Sequence, residues 1–250
     1  MDSNEKMQPG KIVITGVAHG IGRYLAKNLG NKENEIALIF RVRDHRAVRL
    51  IEECRNNYKN VLPLYGDISD EKTSRNVFHK IQNKMQAITA MIHCVGPVIY
   101  SNDILPTNEE IIRMIEGNVL TSANIIRDAQ DMMIRNNFGR IVVFGFSGID
   151  SAIGFKRVTA YAAAKEALMV IIRSIAKKLI VHNITINVIS PGIIDMGEDE
   201  NEWNGYFSQK IPMKRLGMLN EIVSCVKWLL RSESNYLTGQ NLKISGGLHI

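Results

Sequence analysis

Tyr161 and Lys165 stand four residues apart in TAYAAAKEALMV, residues 159–170. On a helix that spacing puts both side chains on one face. A phenol ionises near pH 10 in water, too high for acid–base work at neutral pH. An ammonium group beside it favours the phenolate and lowers that value. Such a pair can pass a proton to or from an oxygen of a bound substrate. The three alanines between them leave room for a flat ring alongside. A Tyr-x-x-x-Lys match also arises often by chance, as an alanine-rich helix with one aromatic and one surface lysine, so it needs corroboration.

TGVAHGIG, Thr15 to Gly22, lies about 140 residues upstream and supplies it. It follows the apolar run KIVIT (11–15) and opens a segment in which Ile21, Leu25 and Leu29 recur every four residues, the strand–turn–helix context of a dinucleotide site. Gly16 permits the tight turn, Gly20 lets backbone approach a pyrophosphate, and Gly22 lets the helix pack close to the strand. The first helical turn, with Ile21, offers free N–H groups and a positive dipole end to phosphates. His19 adds a further donor.

Many dinucleotide sites place an Asp or Glu about 20 residues past the turn, on the adenosine ribose. Here IFRVRD puts Arg41 at about that place, with Arg43 following. A guanidinium suits a 2′-phosphate, because its fork donates two charge-assisted bonds. NADP(H) is therefore expected over NAD(H). Asp67, in YGDIS, is placed to accept a bond from the adenine amino group, with Ile68 beside the ring. It is equally placed to cap a helix starting near Asp70.

These residues need a frame, and the rest of the chain spells one. Apolar runs at 11–15, 35–40, 60–67, 88–95, 139–146, 183–190 and 241–245 read as seven strands. Helical periodicity fills much of the rest, most clearly over 161–182 and roughly 220–231. Nearly all-apolar strands alternating with helices imply a parallel sheet covered on both faces. The expected fold is α/β, a single doubly wound (Rossmann) domain over residues 1–250. Ligands in such sheets bind beyond the carboxyl ends of the strands.

Net charge is +6 with a pI near 9.2. The basic residues are spread among acidic ones, which suits an anionic cofactor and argues against nucleic acid. Cys54, Cys94 and Cys225 are far apart and form no CxxC pair, so neither a disulfide framework nor a metal site is expected. The polar start MDSNEKMQPG lacks a signal core, and no apolar run reaches the roughly 18–20 residues that span a bilayer. A cytoplasmic protein with no membrane partner is the expectation.

Taken together, these motifs resemble the short-chain dehydrogenase/reductase family over nearly the whole chain. TGVAHGIG looks like its cofactor turn and YAAAK like its catalytic pair. HCVG (93–96) stands where the family usually has N-N-A-G. EGNVLTS matches the segment carrying the family's asparagine, here Asn118, and NVISPG matches its proline–glycine stretch, Pro191 and Gly192. The C-terminal third is similar to 3-oxoacyl acyl-carrier-protein reductase and its relatives. The resemblance implies roles: Tyr161 exchanges a proton with the carbonyl oxygen, Lys165 lowers the tyrosine pKa and bonds the nicotinamide ribose, and Asn118 holds a water linking Lys165 to solvent. It also implies cofactor contacts at Gly96 and, through backbone, at Ile194.

The match is imperfect. A serine that polarises the carbonyl usually lies about 13 residues before the tyrosine; here that position is Gly148. Ser147 is the first choice, while counting forward from GRI puts Phe146 there, and Ser151 is a third option. His93 and Cys94 replace two asparagines, and no threonine follows Pro191–Gly192. Residues about 196–215 break both periodicities and read as a lid carrying Trp203, Tyr206 and Phe207. The acidic cluster Glu198 to Glu202 disfavours a highly anionic substrate beside it.

The expected activity is hydride transfer between NADP(H) and a carbonyl/alcohol pair, with a 3-oxoacyl thioester, free or on an acyl carrier, as the default substrate. The alternative is a nucleotide-binding or regulatory protein on the same fold that has lost turnover. Apolar helix faces left over on 161–182, which the resembled family often buries in a tetramer, imply a homo-tetramer or homo-dimer.

Overall fold

The structure is a computed structural model and describes residues 10–151, 153–197 and 202–249. Seven strands form one parallel sheet: β1 (Lys11–Thr15), β2 (Glu35–Phe40), β3 (Asn60–Tyr65), β4 (Ala90–His93), β5 (Gly139–Phe144), β6 (Ile184–Pro191) and, last in the chain, β9 (Asn241–Ile244). Their order is β3-β2-β1-β4-β5-β6-β9. The order reverses between β1 and β4, so their carboxyl ends diverge into a crevice there.

Helices cover both faces, as the continuous apolar strands require. On one face lie α3 (Glu71–Met85), α4 (Asn108–Ile115), α5 (Thr121–Arg135) and α6 (Thr159–Leu179). They bury Val77, Met114, Ile126 and Leu168 against Val13, Met91 and Val143. On the other face α1 (Gly20–Asn28), α2 (His45–Arg55) and α8 (Leu219–Leu229) bury Leu25, Leu50 and Ile222 against Ile12, Ile14 and Ile92. The alternation within each strand sends successive residues to opposite layers.

Polar residues set the helix starts. Asp44 caps α2, accepting from Ala47 N at 2.9 Å, and Asp70 caps α3, accepting from Thr73 N at 2.7 Å. Thr107 and Glu110 form a capping box on α4. The cap of α3 is thus Asp70, which leaves Asp67 free of that task.

Two features were absent from the sequence expectations. Between α4 and α5 the helix widens into one π-turn, Glu116–Leu120. The segment expected to be irregular also contains α7 (Glu202–Lys210), and both its flanks are pinned where β7 (Ile194–Asp195) pairs with β8 (Gly217–Met218). Glu198 to Asn201, and the side chains of Glu202 and Trp203, lie outside the described residues. No helix among the described residues is long and apolar enough to cross a membrane.

Candidate active site

The crevice at the β1/β4 divergence is a cleft of about 450 Å³. Gly16 to His19 line it from the end of β1, and Phe40 with Arg41 from the end of β2. Asp67 to Ser69 follow from β3, and Cys94 to Pro97 from β4. Gly16 has φ +70°, and a Cβ there would stand 2.8 Å from the Cys94 carbonyl carbon. Only glycine lets the turn lie this close to the end of β4. Gly22 packs on the turn itself, with Gly16 O 2.3 Å from the place of a Cβ. Gly20 faces outward, where the nearest such contact is Met196 Sδ at 3.9 Å. A turn with this open outer side and a helix N-terminus behind it fits a pyrophosphate.

At the far end of the cleft Arg41 pairs with Asp67 at 2.9 Å. Asp67 also accepts from Ser69 Oγ at 2.6 Å and Ser69 N at 3.1 Å. The Ser69 bonds, with Arg41 adding its charge, hold the carboxyl below the usual carboxylate range. His19 is exposed at the N-terminus of α1 and makes no side-chain capping bond. Ile21, Pro191, Gly192 and Ile194 do not line the cleft; Pro191 ends β6, Gly192 follows it, and Ile194 is held in β7. Gly117 and Thr121, from the π-turn and the start of α5, line it instead. Nothing in their spacing announced them.

Asn118 and Lys165 meet behind Gly96. A Cβ on that glycine would stand 2.8 Å from Asn118 Oδ1 and 2.9 Å from Lys165 Nζ. Gly96 itself lines the cleft, so these groups lie just behind its wall. Asn118 sits in the π-turn, a helical defect that recurs at functional sites. Its Nδ2 donates to Pro97 O at 3.0 Å and Met114 O at 3.1 Å, while its Oδ1 is buried without a partner. Lys165 is buried and donates to Phe144 O at 2.6 Å. Its Nζ lies 5.6 Å from the centre of the Tyr161 ring, so the two side chains do share a helix face.

Charge is expensive in this pocket. Burial drives the Lys165 pKa down to about 8. Burial also raises Tyr161 well above its ordinary value, with Tyr100 adding to the effect. The sequence expectation that the ammonium lowers the phenol is therefore not met in this state, because desolvation of the phenolate wins. The phenol keeps its proton, the form that can donate one.

Of the three candidate positions for the polarising group, Ser147 is buried, and its N–H donates to Pro191 O at 3.0 Å. Ser151 accepts from Lys243 Nζ at 2.8 Å. The ring that packs on Tyr161 belongs to Phe146, at 5.2 Å between centres and tilted 49°. Phe155 extends this wall, 5.1 Å from Phe146.

The geometry agrees with the comparisons. The family model described as Enoyl-(Acyl carrier protein) reductase matches residues 16–249. The chain belongs to the short-chain dehydrogenase/reductase family. It is similar to carbonyl reductase family member 4 of Xenopus laevis, 30% identical over 95% of this chain and 97% of that one. Another relative, 28% identical over 95% and 96% respectively, is the 3-oxoacyl-(acyl-carrier-protein) reductase FabG of Buchnera aphidicola. The fold matches the crystal structure of YwfH, an NADPH dependent reductase involved in bacilysin biosynthesis, with TM-score 0.84 and 23% identity over 95% and 97%. As a short-chain dehydrogenase/reductase, the protein is an oxidoreductase with a nucleotide-binding Rossmann-like fold.

Proposed function

We propose that this short-chain dehydrogenase/reductase is an NADP(H)-dependent carbonyl reductase with Tyr161 as its proton donor. The observation that carries the proposal is Gly96: it lines the cleft, and the Lys165 and Asn118 head groups lie within 3 Å of its missing side chain. A nicotinamide cofactor in the cleft would supply the hydride. The chain's own residues bind, orient and protonate. The Tyr161 hydroxyl gives its proton to the carbonyl oxygen. The Lys165 ammonium stabilises the phenolate left behind and bonds the ribose of the cofactor. Asn118 holds a water through which Lys165 is reprotonated from solvent. Ser147 is the proposed carbonyl polariser. A single well-placed donor is worth about a hundredfold or more in turnover, so Ser147→Ala should lose that much; a loss of only a few-fold removes Ser147 from the mechanism.

Preference for the 2′-phosphorylated cofactor rests on Arg41, which lines the cleft and is mostly exposed. Arg43 stands two residues on. Arg41→Ala should weaken apparent NADPH affinity by about tenfold or more, the worth of charge-assisted bonds, and leave NADH nearly unchanged. Fluorescence titration of both cofactors checks this, and equal losses would refute the phosphate role. Asp67 and Ile68 hold the adenine end.

A 3-oxoacyl thioester is the proposed substrate, supported by the FabG relative. Residues 196–215 serve as a lid, supported by the β7–β8 pin and by Met196 reaching toward Gly20. Val170, Ile112 and Leu120 leave apolar side chains on exposed helix faces, which supports a homo-tetramer or homo-dimer. The activity is tested by following NADPH oxidation against a panel of ketones, aldehydes and 3-oxoacyl thioesters. No turnover across the panel, with cofactor bound, would favour the non-catalytic alternative.

A further inference from the structure

His93 has no part in the chemistry above, yet it is buried completely at the end of β4, beside that chemistry. Its Nδ1 lies 2.7 Å from Thr15 Oγ1, across the β1–β4 pair. Its Nε2 is buried without a partner. Buried nitrogens are nearly always paired, so an orphan calls for an explanation. Burial, with Lys165 adding its charge, drives the imidazole pKa down to about 3. The ring is therefore neutral, with one N–H and one lone pair.

The strand register places that lone nitrogen. His93 pairs with Val143 of β5, and Phe144, the next residue, gives its carbonyl to Lys165 Nζ. His93 follows Met91 by two residues and so faces the same layer, the one α6 fills with Ala164 and Leu168. Imidazole and ammonium thus share one buried layer at adjacent strand ends. The titratable groups facing the ammonium are His93 and Cys94 from β4 and Tyr161 from its own helix, with Tyr100 facing the phenol. None is a carboxylate. Beside a buried cation, the favourable tautomer carries its proton on Nδ1, donated to Thr15, and turns the Nε2 lone pair inward.

We propose that His93 is a positioning residue for Lys165: Thr15 fixes its tautomer, and the Nε2 lone pair, through an internal water, holds the ammonium charged beside Tyr161. The proposal rests on the roles assigned above to Tyr161 and Lys165.

Two substitutions separate the two nitrogens. Glutamine carries an amide acceptor out to the place of Nε2. Asparagine keeps a partner for Thr15 and leaves the Nε2 place empty. The titration of Lys165 is followed in the cofactor-free protein by NMR of 13Cε-labelled lysine, with Lys165→Met to assign the signal. His93→Asn and His93→Leu should lower the midpoint by about one pH unit, while His93→Gln keeps it. With NADPH and a carbonyl substrate, the alkaline limb of the pH–rate profile should move by the same amount and in the same direction. An unmoved midpoint in His93→Asn and His93→Leu, with only a lower Tm, would make His93 a core group and overturn the proposal. So would a His93→Gln midpoint displaced as far as that of His93→Leu. His93→Asn decides the matter where His93→Leu fails to fold. Full turnover by Tyr161→Phe would defeat the catalytic assignment instead, and the NMR midpoint would still judge His93.

Discussion

Tyr161→Phe should lower turnover by about a thousandfold, in the middle of the range for loss of a positioned general acid, and leave the fold intact. The substitution removes one oxygen and nothing else. The ring stays packed on Phe146, and the hydroxyl has no hydrogen-bond partner among the described residues, so no group is orphaned by its loss. Stability should stay within about 0.5 kcal/mol of the parent. NADPH affinity should be unchanged within a factor of about two, because the cleft lining is untouched. Steady-state NADPH oxidation, cofactor fluorescence and a thermal melt read the three quantities. A variant that binds cofactor, melts normally and still turns over at a tenth of the parental rate would show that the proton comes from elsewhere.

Gly96→Ala should cost about a hundredfold in turnover at a modest cost in stability. A Cβ there meets Asn118 Oδ1 at 2.8 Å and Lys165 Nζ at 2.9 Å, closer than carbon sits to either atom. The lysine is the far end of a flexible chain and yields first, which pulls the ammonium off Phe144 O and away from the phenol. Misplacement of a catalytic group by about 1 Å is worth about a hundredfold. The shift of a flexible head group, by contrast, costs within the roughly 1–3 kcal/mol of ordinary overpacking. The expected signature is a fall in kcat much larger than any rise in KM for NADPH. A loss confined to cofactor affinity, with kcat intact, would mean that Gly96 serves only the cleft wall.

The buried pair also sets a pH dependence. Lys165 has its pKa depressed to about 8 from 10.5. Its charge is present below pH 8 and is lost as pH rises through that value. Tyr161 keeps its proton throughout that range. Carbonyl reduction should therefore fall on the alkaline side of about pH 8, through loss of the ammonium and with no contribution from the phenol.

The elements were legible because their signals are local. KIVIT, EIALIF and GRIVVF are apolar on nearly every residue, which only a strand covered on both faces needs, and they appear as β1, β2 and β5. TGVAHGIG named its own turn, because Gly16 and Gly22 answer to steric demands that any side chain would violate. The four-residue spacing of Tyr161 and Lys165 fixed a common helix face, which they share in α6. The π-turn at Asn118 was not legible, since one widened turn leaves helical periodicity nearly unchanged. Nor was α7, whose residues carry little amphipathic pattern.

What the chain alone determined is the set of parts: a parallel sheet, a glycine turn at its ligand edge, and a phenol and an amine on one helix face. Only the tertiary structure decided their electrostatics. Dehydration of Tyr161 and Lys165 depends on which strands and rings close around them, and that shell comes from Phe144, Phe146, His93 and Gly96. They come from two strand ends far apart in sequence, those of β4 and β5, which meet only in the fold. Spacing records which side chains share a face; the cost of a charge depends on everything that has displaced water from it.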